Sequence, residues 1–496
     1  MERLFIGGEY VASASRACID VENPAREEVI AQVPDASTED IDRAVAAAKK
    51  AQRGWRNLDS YTRCELLHEC ASRLEANAED LAVTLTLEGG KTLKENFDEI
   101  KWSAMNFRHI AELSRANRGR VVGATKANQM NLVLKEPVGV VAHIMPYNYP
   151  IVLLAWQVSA ALGVGNSCVV KPAEQTPLST LKLGQVLDCL PAGVFNVVTA
   201  GPASSAYLVG HPDTGMIAFT GSAATGRRVM EAAAPRIKRL LLELGGSDPF
   251  IVLKDADVDI AAQGGVFAAF LNAGQVCTSA ERFYVQEEIF DRFMERAVDL
   301  ARKVRIGDPM DDVDMGSMVS AEARSQAIDA VDQLVAHGGR VVLGGADRPA
   351  HLTRGHFCAP TIVDITHASE PPREELFGPI AAVTRVRDLD EAIGLANESK
   401  YGLGANIYTS DLRTAMRAAA ELEVGTVWIN DPLRDNDAAA FGGHKMSGFG
   451  SELGPEGLEA FTQTKHVHIA FDQEPAPEWW FPYERPQLKV ERRALA

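Results

Sequence analysis

Short apolar runs alternate with helical segments through the middle of this chain, and this pattern is the strongest constraint on its fold. The runs cover residues 168–170, 195–198, 216–219 and 239–242. Short strands separated by helices are typical of βαβ units, in which the strands pair in parallel. The sequence therefore predicts an α/β fold, with helices on both faces of a parallel sheet.

The segments on either side of this region carry their own signals. Residues 37–51 form an amphipathic pattern that Ser37 or Thr38 can cap, because a hydroxyl there accepts hydrogen bonds from free N–H groups. We expect further helices across 61–117 and strands across 130–144. A second α/β series is expected later, with helices near 287–303 and 321–337 and strands near 340–343 and 425–429.

Length and charge limit the class of protein. The chain has 496 residues, more than one hydrophobic core normally holds, so two or three domains are expected. The net charge of −17 argues against nucleic acid and anionic membranes as partners. The most apolar stretch, 151–165, is shorter than the roughly 20 residues that a membrane span needs, and is expected to be a buried helix. Residues 1–8 lack the apolar run of a secretory signal, and the proline-rich tail at 474–483 is expected to be extended.

Two glycine-bearing segments carry the candidate chemistry. Glu243 begins the segment 243–246, and Cys277 ends the segment 272–277. Together they supply a nucleophile and a general base, the minimum for covalent catalysis at sulfur. An isolated cysteine is more often a small buried hydrophobe, so the assignment depends on the rest of the chain.

The other cysteines suggest no further chemistry. The seven cysteines show neither CxxC spacing nor neighbouring histidine pairs. We therefore expect no metal site and no disulfide framework. A free reactive thiol fits a reducing compartment, so a cytoplasmic location is expected.

Two turns after predicted strands are candidates for binding a cofactor. Lys171 and Glu174 follow the strand at 168–170, where open α/β sheets bind ligands. Glu174 could accept hydrogen bonds from a ribose hydroxyl and would repel a 2′-phosphate, which favours NAD over NADP; the alternative is a surface Lys/Glu pair. Gly221 and Ser222 open a helix whose N-terminus could bind a pyrophosphate, or the glycine could merely permit a tight turn.

In their order along the chain these segments resemble the NAD(P)-dependent aldehyde dehydrogenases, over nearly the whole sequence. The likeness is to hydrolytic members, similar to succinic semialdehyde, lactaldehyde and betaine aldehyde dehydrogenases. It implies a variant doubly wound NAD-binding domain, an α/β catalytic domain and a small bridging element that makes homodimers or homotetramers. The implied bounds are 1–112 and 137–247 for the NAD-binding domain, 248–445 for the catalytic domain, and 113–136 and 446–496 for the bridging element and tail.

The resemblance also implies the catalytic roles. Cys277 attacks the aldehyde to give a thiohemiacetal, hydride transfer leaves a thioester, and Glu243 activates the water that hydrolyses it. Asn148 and the backbone N–H of Cys277 stabilise the oxyanion, although Asn148 alone could equally be a turn residue between two prolines. The cofactor is predicted to be NAD, bound by Ile144, Lys171, Glu174, Gly201, Gly221, Ser222, Leu244, Glu375 and Phe377. Among these, Glu375 would hold the nicotinamide ribose and Phe377 would flank the ring.

Three of the departures from the family pattern bear on the chemistry. Tyr147 stands where a tryptophan is common, and Ser247 stands where the base motif often has a lysine. Gln157 occupies the position of a lysine that often links Glu452 to the base. A proton relay from Glu452 would therefore need water or another route.

The substrate is the least determined feature. By resemblance, Tyr149, Trp156 and Phe441 line an aromatic tunnel; alternatively they are core aromatics. Arg434 could bind an anionic or strongly polar far end of a small aldehyde, such as a semialdehyde, or could pair with a nearby aspartate.

Two rival functions remain at this stage. The first is a CoA-acylating semialdehyde dehydrogenase, against which Glu243 argues because such enzymes typically lack that base. The second is a non-catalytic relative acting as a structural or binding protein, which would have no reason to keep Cys277, Glu243 and Asn148 together.

Overall fold

The computed structural model describes residues 2–116, 119–472 and 479–482. The chain divides into a larger unit of residues 1–116 and 137–463 and a smaller unit of residues 117–136 and 464–496. The predicted NAD-binding and catalytic domains both fall within the larger unit, and their separation stays a prediction. The predicted extended tail lies mostly outside the described residues.

Helices cover much of the larger unit. They are α1 (Thr38–Asn57), α2 (Ser60–Ala76), α3 (Ala78–Gly89), α4 (Leu93–Ala116), α5 (Pro150–Gly163), α6 (Pro177–Val186), α7 (Pro202–Gly210), α8 (Ala223–Ala233), α9 (Val258–Phe270), α10 (Phe290–Ala301), α11 (Ala321–Ala336), α12 (Leu389–Asn397), α13 (Leu412–Glu421) and α14 (Gly454–Ala460).

Strands form the central layers. They are β1 (Leu4–Ile6), β2 (Glu9–Val11), β3 (Cys18–Asn23), β4 (Glu28–Pro34), β5 (Arg120–Val122), β6 (Gln129–Pro137), β7 (Val140–Ile144), β8 (Ser167–Lys171), β9 (Phe195–Val197), β10 (Met216–Gly221), β11 (Arg239–Leu244), β12 (Asp248–Val252), β13 (Ala280–Gln286), β14 (Arg340–Leu343), β15 (Thr361–Asp364), β16 (Ile380–Val386), β17 (Tyr401–Gly402), β18 (Gly404–Tyr408), β19 (Thr426–Ile429), β20 (His444–Lys445), β21 (Gly448–Phe449) and β22 (Thr462–Ala470).

The first sheet of the larger unit has the strand order β2-β1-β9-β8-β7-β10-β11-β21. Its five central strands, β7 to β11, pair in parallel, and the edge strands β1, β2 and β21 pair antiparallel. The predicted parallel sheet is confirmed. Strand β7 lies between β8 and β10, so the chain reverses its direction of travel across the sheet at this strand.

The second sheet has the order β14-β15-β16-β13-β12-β18-β19 and follows the first along the chain. It is parallel except for the β14–β15 pair. Every residue of β12 and β13 is buried, as expected for central strands covered by helices.

The local predictions in the first half of the chain are confirmed. Ser37 caps α1, and its hydroxyl and the Asp40 carboxylate form a reciprocal capping box. The apolar stretch at 151–165 is the buried helix α5, whose 14 residues are all shielded from solvent. No helix among the described residues is long and apolar enough to cross a bilayer.

The smaller unit contains most of a three-stranded sheet, in which β5 and β6 pair antiparallel. Its strand order is β22-β6-β5. Lys465 and Glu136 form an ion pair at 2.6 Å, and Asn131 Oδ1 accepts a hydrogen bond from His466 Nε2 at 3.0 Å.

Candidate active site

The carboxyl ends of four neighbouring parallel strands form one edge of the first sheet. These strands end at Ile144, Lys171, Gly221 and Leu244, all of which are predicted cofactor residues. The edge includes the point at which the strand order reverses, where open α/β sheets bind their ligands. The fold therefore brings residues far apart in sequence to one binding edge.

A cavity of about 590 Å³ opens at this edge. The predicted site residues that line it are Asn148, Gly221, Ser222, Glu243, Leu244, Cys277, Glu375 and Phe377. Ile144, Lys171, Glu174 and Gly201 do not line this cavity. The cavity thus joins the proposed catalytic groups to the proposed nicotinamide side of the cofactor site.

The packing of helix α8 fits a dinucleotide at this edge. Ser222 caps the helix, and its hydroxyl accepts a hydrogen bond from the Thr225 N–H. A Cβ on Gly226 would meet the Leu244 side chain at 2.7 Å. Because Gly226 has no side chain, the helix packs closely on β11 and holds its positive N-terminus beside the cavity.

Lys171, Glu174 and Gly201 lie farther along the same sheet. Burial lowers the pKa of Lys171, while the carboxylates of Glu174 and Asp35 act in the opposite direction. The Gly201 N–H donates to Asp35 Oδ1 at 2.9 Å. Asp35, which no sequence pattern marks, thus supplies a second carboxylate near Lys171.

The backbone before Cys277 adopts a left-handed turn. Asn272 and Ala273 have φ of 49° and 54°, values that residues other than glycine rarely adopt, and Gly274 has φ of 74°. A Cβ on Gly274 would lie 1.9 Å from the carbonyl oxygen of Gly378. The cysteine loop therefore packs directly on the segment that follows Phe377, and only glycine fits at this contact.

The base loop packs on the cysteine loop in a similar way. Glu243 is buried on β11, where it pairs with Gly448 of β21. A Cβ on Gly246 would lie 2.3 Å from the carbonyl oxygen of Cys277. The glycines of the base motif thus allow the two loops to approach closely.

The Asn148 side chain reaches the cysteine loop. It is buried, and its Nδ2 donates to the carbonyl oxygen of Gln275 at 3.0 Å. An amide NH₂ has a second N–H to donate. That second donor is the one available to an oxyanion formed at Cys277.

A buried ion pair supports the turn that carries Asn148. The Lys91 ammonium contacts the Glu99 carboxylate and donates to the Asn148 carbonyl oxygen at 3.1 Å. Glu99 Oε1 accepts the N–H groups of Ile151 and Val152 at 2.8 and 3.0 Å. The pair therefore ties the start of α5 and the Asn148 turn together.

The surroundings of Cys277 and Glu243 favour the protonated form of both side chains. Burial, followed by the Glu243 carboxylate, raises the pKa of the Cys277 thiol well above its usual value. Burial, followed by the Glu452 carboxylate, raises the pKa of Glu243. Glu243 Oε1 has no hydrogen-bond partner among the described residues, which leaves it available to water or to the thiol.

Gln157 lies at the centre of a buried polar cluster behind the site. Its Nε2 donates to Thr220 Oγ1 at 2.8 Å and to Glu452 Oε1 at 2.7 Å, and its Oε1 lies 3.2 Å from His143 Nδ1. Burial raises the pKa of Glu452 to about 7. Gln157 thus binds Glu452 directly, but an amide does not exchange protons as an ammonium does.

Aromatic side chains adjoin the site, and three of them touch. Trp156 packs against Phe441 with ring centroids 5.3 Å apart, and against Trp102 at 5.2 Å. Tyr149 lies apart from these pairs, with the Lys91 ammonium 3.7 Å from its ring centroid. Trp156 and Phe441 are fully buried, while Trp102 and Tyr149 share the lining of a second, larger cavity.

In the loop that carries Arg434, the guanidinium is paired with an aspartate, and other carboxylates lie nearby. The Arg434 guanidinium pairs with Asp431 at 3.0 Å, and its side chain is 78% exposed. Burial, together with the Asp437 carboxylate, raises the pKa of Asp435 to about 7. The Asp435 carboxylate in turn helps to raise the pKa of Cys277. The geometry therefore favours the second sequence-based alternative, in which Arg434 pairs with an aspartate.

Five contributors were missed by sequence reasoning: Asp35, Lys91, Glu99, Trp102 and Glu281. Glu281 Oε1 accepts the backbone N–H groups of Leu376 and Phe377. It left a usable signal, because two adjacent charged residues, Glu281 and Arg282, stand in the buried strand β13. Lys91 and Glu99 lie in a helical region of ordinary charge content. Nothing in their spacing indicates that they contact the turn that carries Asn148.

Comparison with known proteins identifies the family. The sequence model described as the aldehyde dehydrogenase family matches residues 10–467. The chain belongs to the aldehyde dehydrogenase family. An aldehyde dehydrogenase of Aspergillus niger is 38% identical over 475 residues, which cover 94% of each protein. Betaine aldehyde dehydrogenase 1 of Oryza sativa subsp. japonica is 37% identical over 485 residues, which cover 95% of this chain and 96% of the rice protein.

A solved structure extends the comparison to the fold. The crystal structure of betaine aldehyde dehydrogenase from Staphylococcus aureus in complex with NAD⁺ matches this aldehyde dehydrogenase with a TM-score of 0.93 and 33% identity. The match covers 97% of this chain and 96% of the other. The predictions of family, of an α/β aldehyde dehydrogenase fold and of an NAD-dependent aldehyde dehydrogenase are confirmed.

Proposed function

We propose that this aldehyde dehydrogenase oxidises a small aldehyde whose far end is neutral or cationic, and releases the carboxylate. The observation that carries the proposal is the Asp435 carboxylate, which lies within electrostatic range of Cys277 and Tyr149. A negative far end would be repelled there, and the exposed Arg434, already paired with Asp431, offers little compensation.

Cys277, Glu243 and Asn148 perform the chemistry. Glu243 takes the thiol proton as the sulfur bonds to the aldehyde carbon, and Asn148 Nδ2 donates to the oxygen that becomes negative. NAD, when bound, would accept the hydride from the thiohemiacetal carbon, and the bond to sulfur would then be a thioester. Glu243 first releases the thiol proton to solvent and then takes a proton from the attacking water, whose oxygen bonds to the acyl carbon. As the carbon–sulfur bond breaks, Glu243 returns this proton to the sulfur and the thiol reforms.

The second role of Glu243 argues against the CoA-acylating rival. Its carboxylate is buried beside Cys277 with one oxygen free among the described residues, which suits the activation of water. We expect carboxylate formation without added CoA and no faster turnover with it. Strict dependence of turnover on CoA would support the rival instead.

Relatives lend support to a cationic substrate. Two of the proteins described above, from rice and from S. aureus, are named betaine aldehyde dehydrogenases. Betaine aldehyde carries a quaternary ammonium group, which aromatic faces and carboxylates attract. Trp102 lines the second cavity and donates its indole N–H to Asp437 Oδ1 at 3.1 Å, so it supplies such a face beside the acidic loop. Asp435 and Asp437 supply the charge.

A matched pair of aldehydes tests the proposal. Betaine aldehyde and 3,3-dimethylbutanal have the same shape and differ in charge, and succinic semialdehyde adds an anionic comparison. We expect kcat/KM to be highest for one of the first two and lowest for succinic semialdehyde. Asp435→Asn should reduce the preference for betaine aldehyde over its neutral analogue by about tenfold, while Arg434→Ala should leave it unchanged.

One pattern of results would contradict the proposal. If succinic semialdehyde were the best substrate, and if Arg434→Ala removed that advantage, Arg434 would be the anion-binding residue that the sequence first suggested. The two variants therefore separate the two explanations with the same assay.

The proposal also covers the location of the enzyme, its oligomeric state and the roles of its domains. We infer a cytoplasmic enzyme that forms homodimers or homotetramers, with 1–112 and 137–247 binding NAD, 248–445 carrying Cys277, and 113–136 with 446–496 bridging subunits. The seven free cysteines are consistent with a reducing compartment. Sedimentation analysis of the purified protein tests the oligomeric state.

A further inference from the structure

Glu281 is a buried carboxylate that the reaction described above does not use. It lies on β13, four residues after Cys277, and is 1% exposed. Its Oε1 accepts the backbone N–H groups of Leu376 and Phe377 at 2.8 and 2.9 Å. One side chain on the strand of the nucleophile thus holds two consecutive N–H groups of another segment.

That segment carries the residues assigned to the nicotinamide side of the site. Glu375 and Phe377 both line the cavity with Cys277. Phe377 has φ of 41°, a conformation that a residue with a side chain adopts only when its surroundings hold it. Hydrogen bonds at the N–H of Phe377 itself are therefore well placed to maintain the turn.

Two other contacts fix the same segment, but at different points. Glu375 Oε1 accepts the Gly246 N–H at 3.2 Å, and the Gly378 carbonyl packs on Gly274. Neither contact involves the N–H groups of Leu376 or Phe377. Loss of the Glu281 acceptor would leave both of these buried donors without a partner, which is costly.

We propose that Glu281 is a positioning residue that sets the place of Glu375 and Phe377 relative to Cys277 through these two hydrogen bonds. The proposal rests on the assignment of Glu375 and Phe377 to the cofactor site. It predicts that removing the acceptor weakens productive binding of NAD before it affects the thiol chemistry. The hydrogen-bonding oxygen is the feature that matters, and the negative charge is secondary.

Three variants test this role. Glu281→Met keeps the size of the side chain and removes the acceptor, Glu281→Gln keeps the acceptor, and Asp255→Ala is the matched control. Asp255 also accepts two consecutive backbone N–H groups, those of Ser410 and Asp411, at 2.9 and 3.0 Å, and none of these three residues lines the cavity. The measurements are the KM for NAD, kcat at saturating NAD, the Kd for NAD and the melting temperature.

We expect Glu281→Met to raise the KM and Kd for NAD by about tenfold, with a smaller change in kcat. Glu281→Gln should stay within about twofold of the wild type, because Oε1 of glutamine can accept the same two N–H groups. Asp255→Ala should lower the melting temperature and leave the KM for NAD unchanged. If Glu281→Met does not fold, Glu281→Ala replaces it in the same comparison.

The outcomes separate the proposal from its premise. Should the Glu281 variants lower the melting temperature as Asp255→Ala does, with no change in the KM for NAD, Glu281 has only a structural role and the proposal is wrong. Glu375→Gln tests the premise. If it leaves NAD binding unchanged, the assignment of Glu375 fails; if it weakens NAD binding while Glu281→Met does not, only the positioning role fails.

Discussion

Gln157 Nε2 donates a hydrogen bond to Glu452 Oε1 over 2.7 Å, inside a cluster that is shielded from solvent. Burial holds the pKa of Glu452 near 7, and the Gln157 hydrogen bond acts in the opposite direction. Because Glu452 raises the pKa of Glu243, the two carboxylates are electrostatically linked, although no lysine among the described residues connects them.

This link predicts the effect of Glu452→Gln. Removing the neighbouring carboxylate should lower the pKa of Glu243. Glu243 is a base only when ionised, so its activity rises with pH, and the variant should shift that rise to lower pH. The pH profile of steady-state turnover, with hydrolysis limiting, checks this. A shift to higher pH would show that Glu452 supplies protons rather than charge.

Glu174 is expected to discriminate between the two nicotinamide cofactors. Its carboxylate lies near Lys171, at the carboxyl end of β8. A 2′-phosphate there should be disfavoured by about 1–3 kcal/mol, so Glu174→Gln should raise kcat/KM for NADP by about tenfold or more. The exposed Glu231 of α8 offers a control in Glu231→Gln. Equal efficiency with both cofactors in the wild type would remove Glu174 from this role.

The close approach of Gly245 to Glu375 gives a steric prediction. A Cβ on Gly245 would lie 2.1 Å from Glu375 Oε2, so Gly245→Ala must displace that carboxylate. We expect the KM for NAD to rise by about fivefold or more. Gly394→Ala is the control, because a Cβ at Gly394 meets nothing within 4 Å. A normal KM for NAD in Gly245→Ala would mean that Glu375 does not contact the cofactor.

Asp435 predicts a pH-dependent substrate preference. Its pKa of about 7 means that the carboxylate is largely neutral below pH 6 and charged above pH 8. The ratio of kcat/KM for betaine aldehyde to that for 3,3-dimethylbutanal should therefore increase with pH. Ionisation of Cys277 and Glu243 affects both substrates and cancels in the ratio. A ratio that does not vary with pH would place Asp435 outside the substrate site.

Features that depend only on neighbouring residues in the chain could be predicted from the sequence. The cap at Ser37, the buried helix α5 and the strands that end at Lys171, Gly221 and Leu244 all follow from local patterns. The loops of Glu243 and Cys277 were recognisable because their glycines and polar residues stand together in short segments.

Residues that act across the fold could not be predicted in this way. Lys91 reaches Asn148, and Glu281 reaches Phe377, over long separations in the chain. Hydrogen bonds of this kind leave no periodic pattern, so only the three-dimensional arrangement reveals them. For Arg434 the sequence left two alternatives open, an anion site and a pair with an aspartate, and the fold places its guanidinium 3.0 Å from Asp431.

The central claim is that Cys277 forms a thioester that Glu243 hydrolyses. Stopped-flow measurement of NADH formation with Glu243→Gln tests it most directly, with Cys277→Ala as the control that should bind NAD and form no NADH. We predict a burst of about one NADH per active site followed by turnover slowed by about a hundredfold or more. Steady turnover at the wild-type rate, with no burst, would show that another group activates the water and would contradict the account.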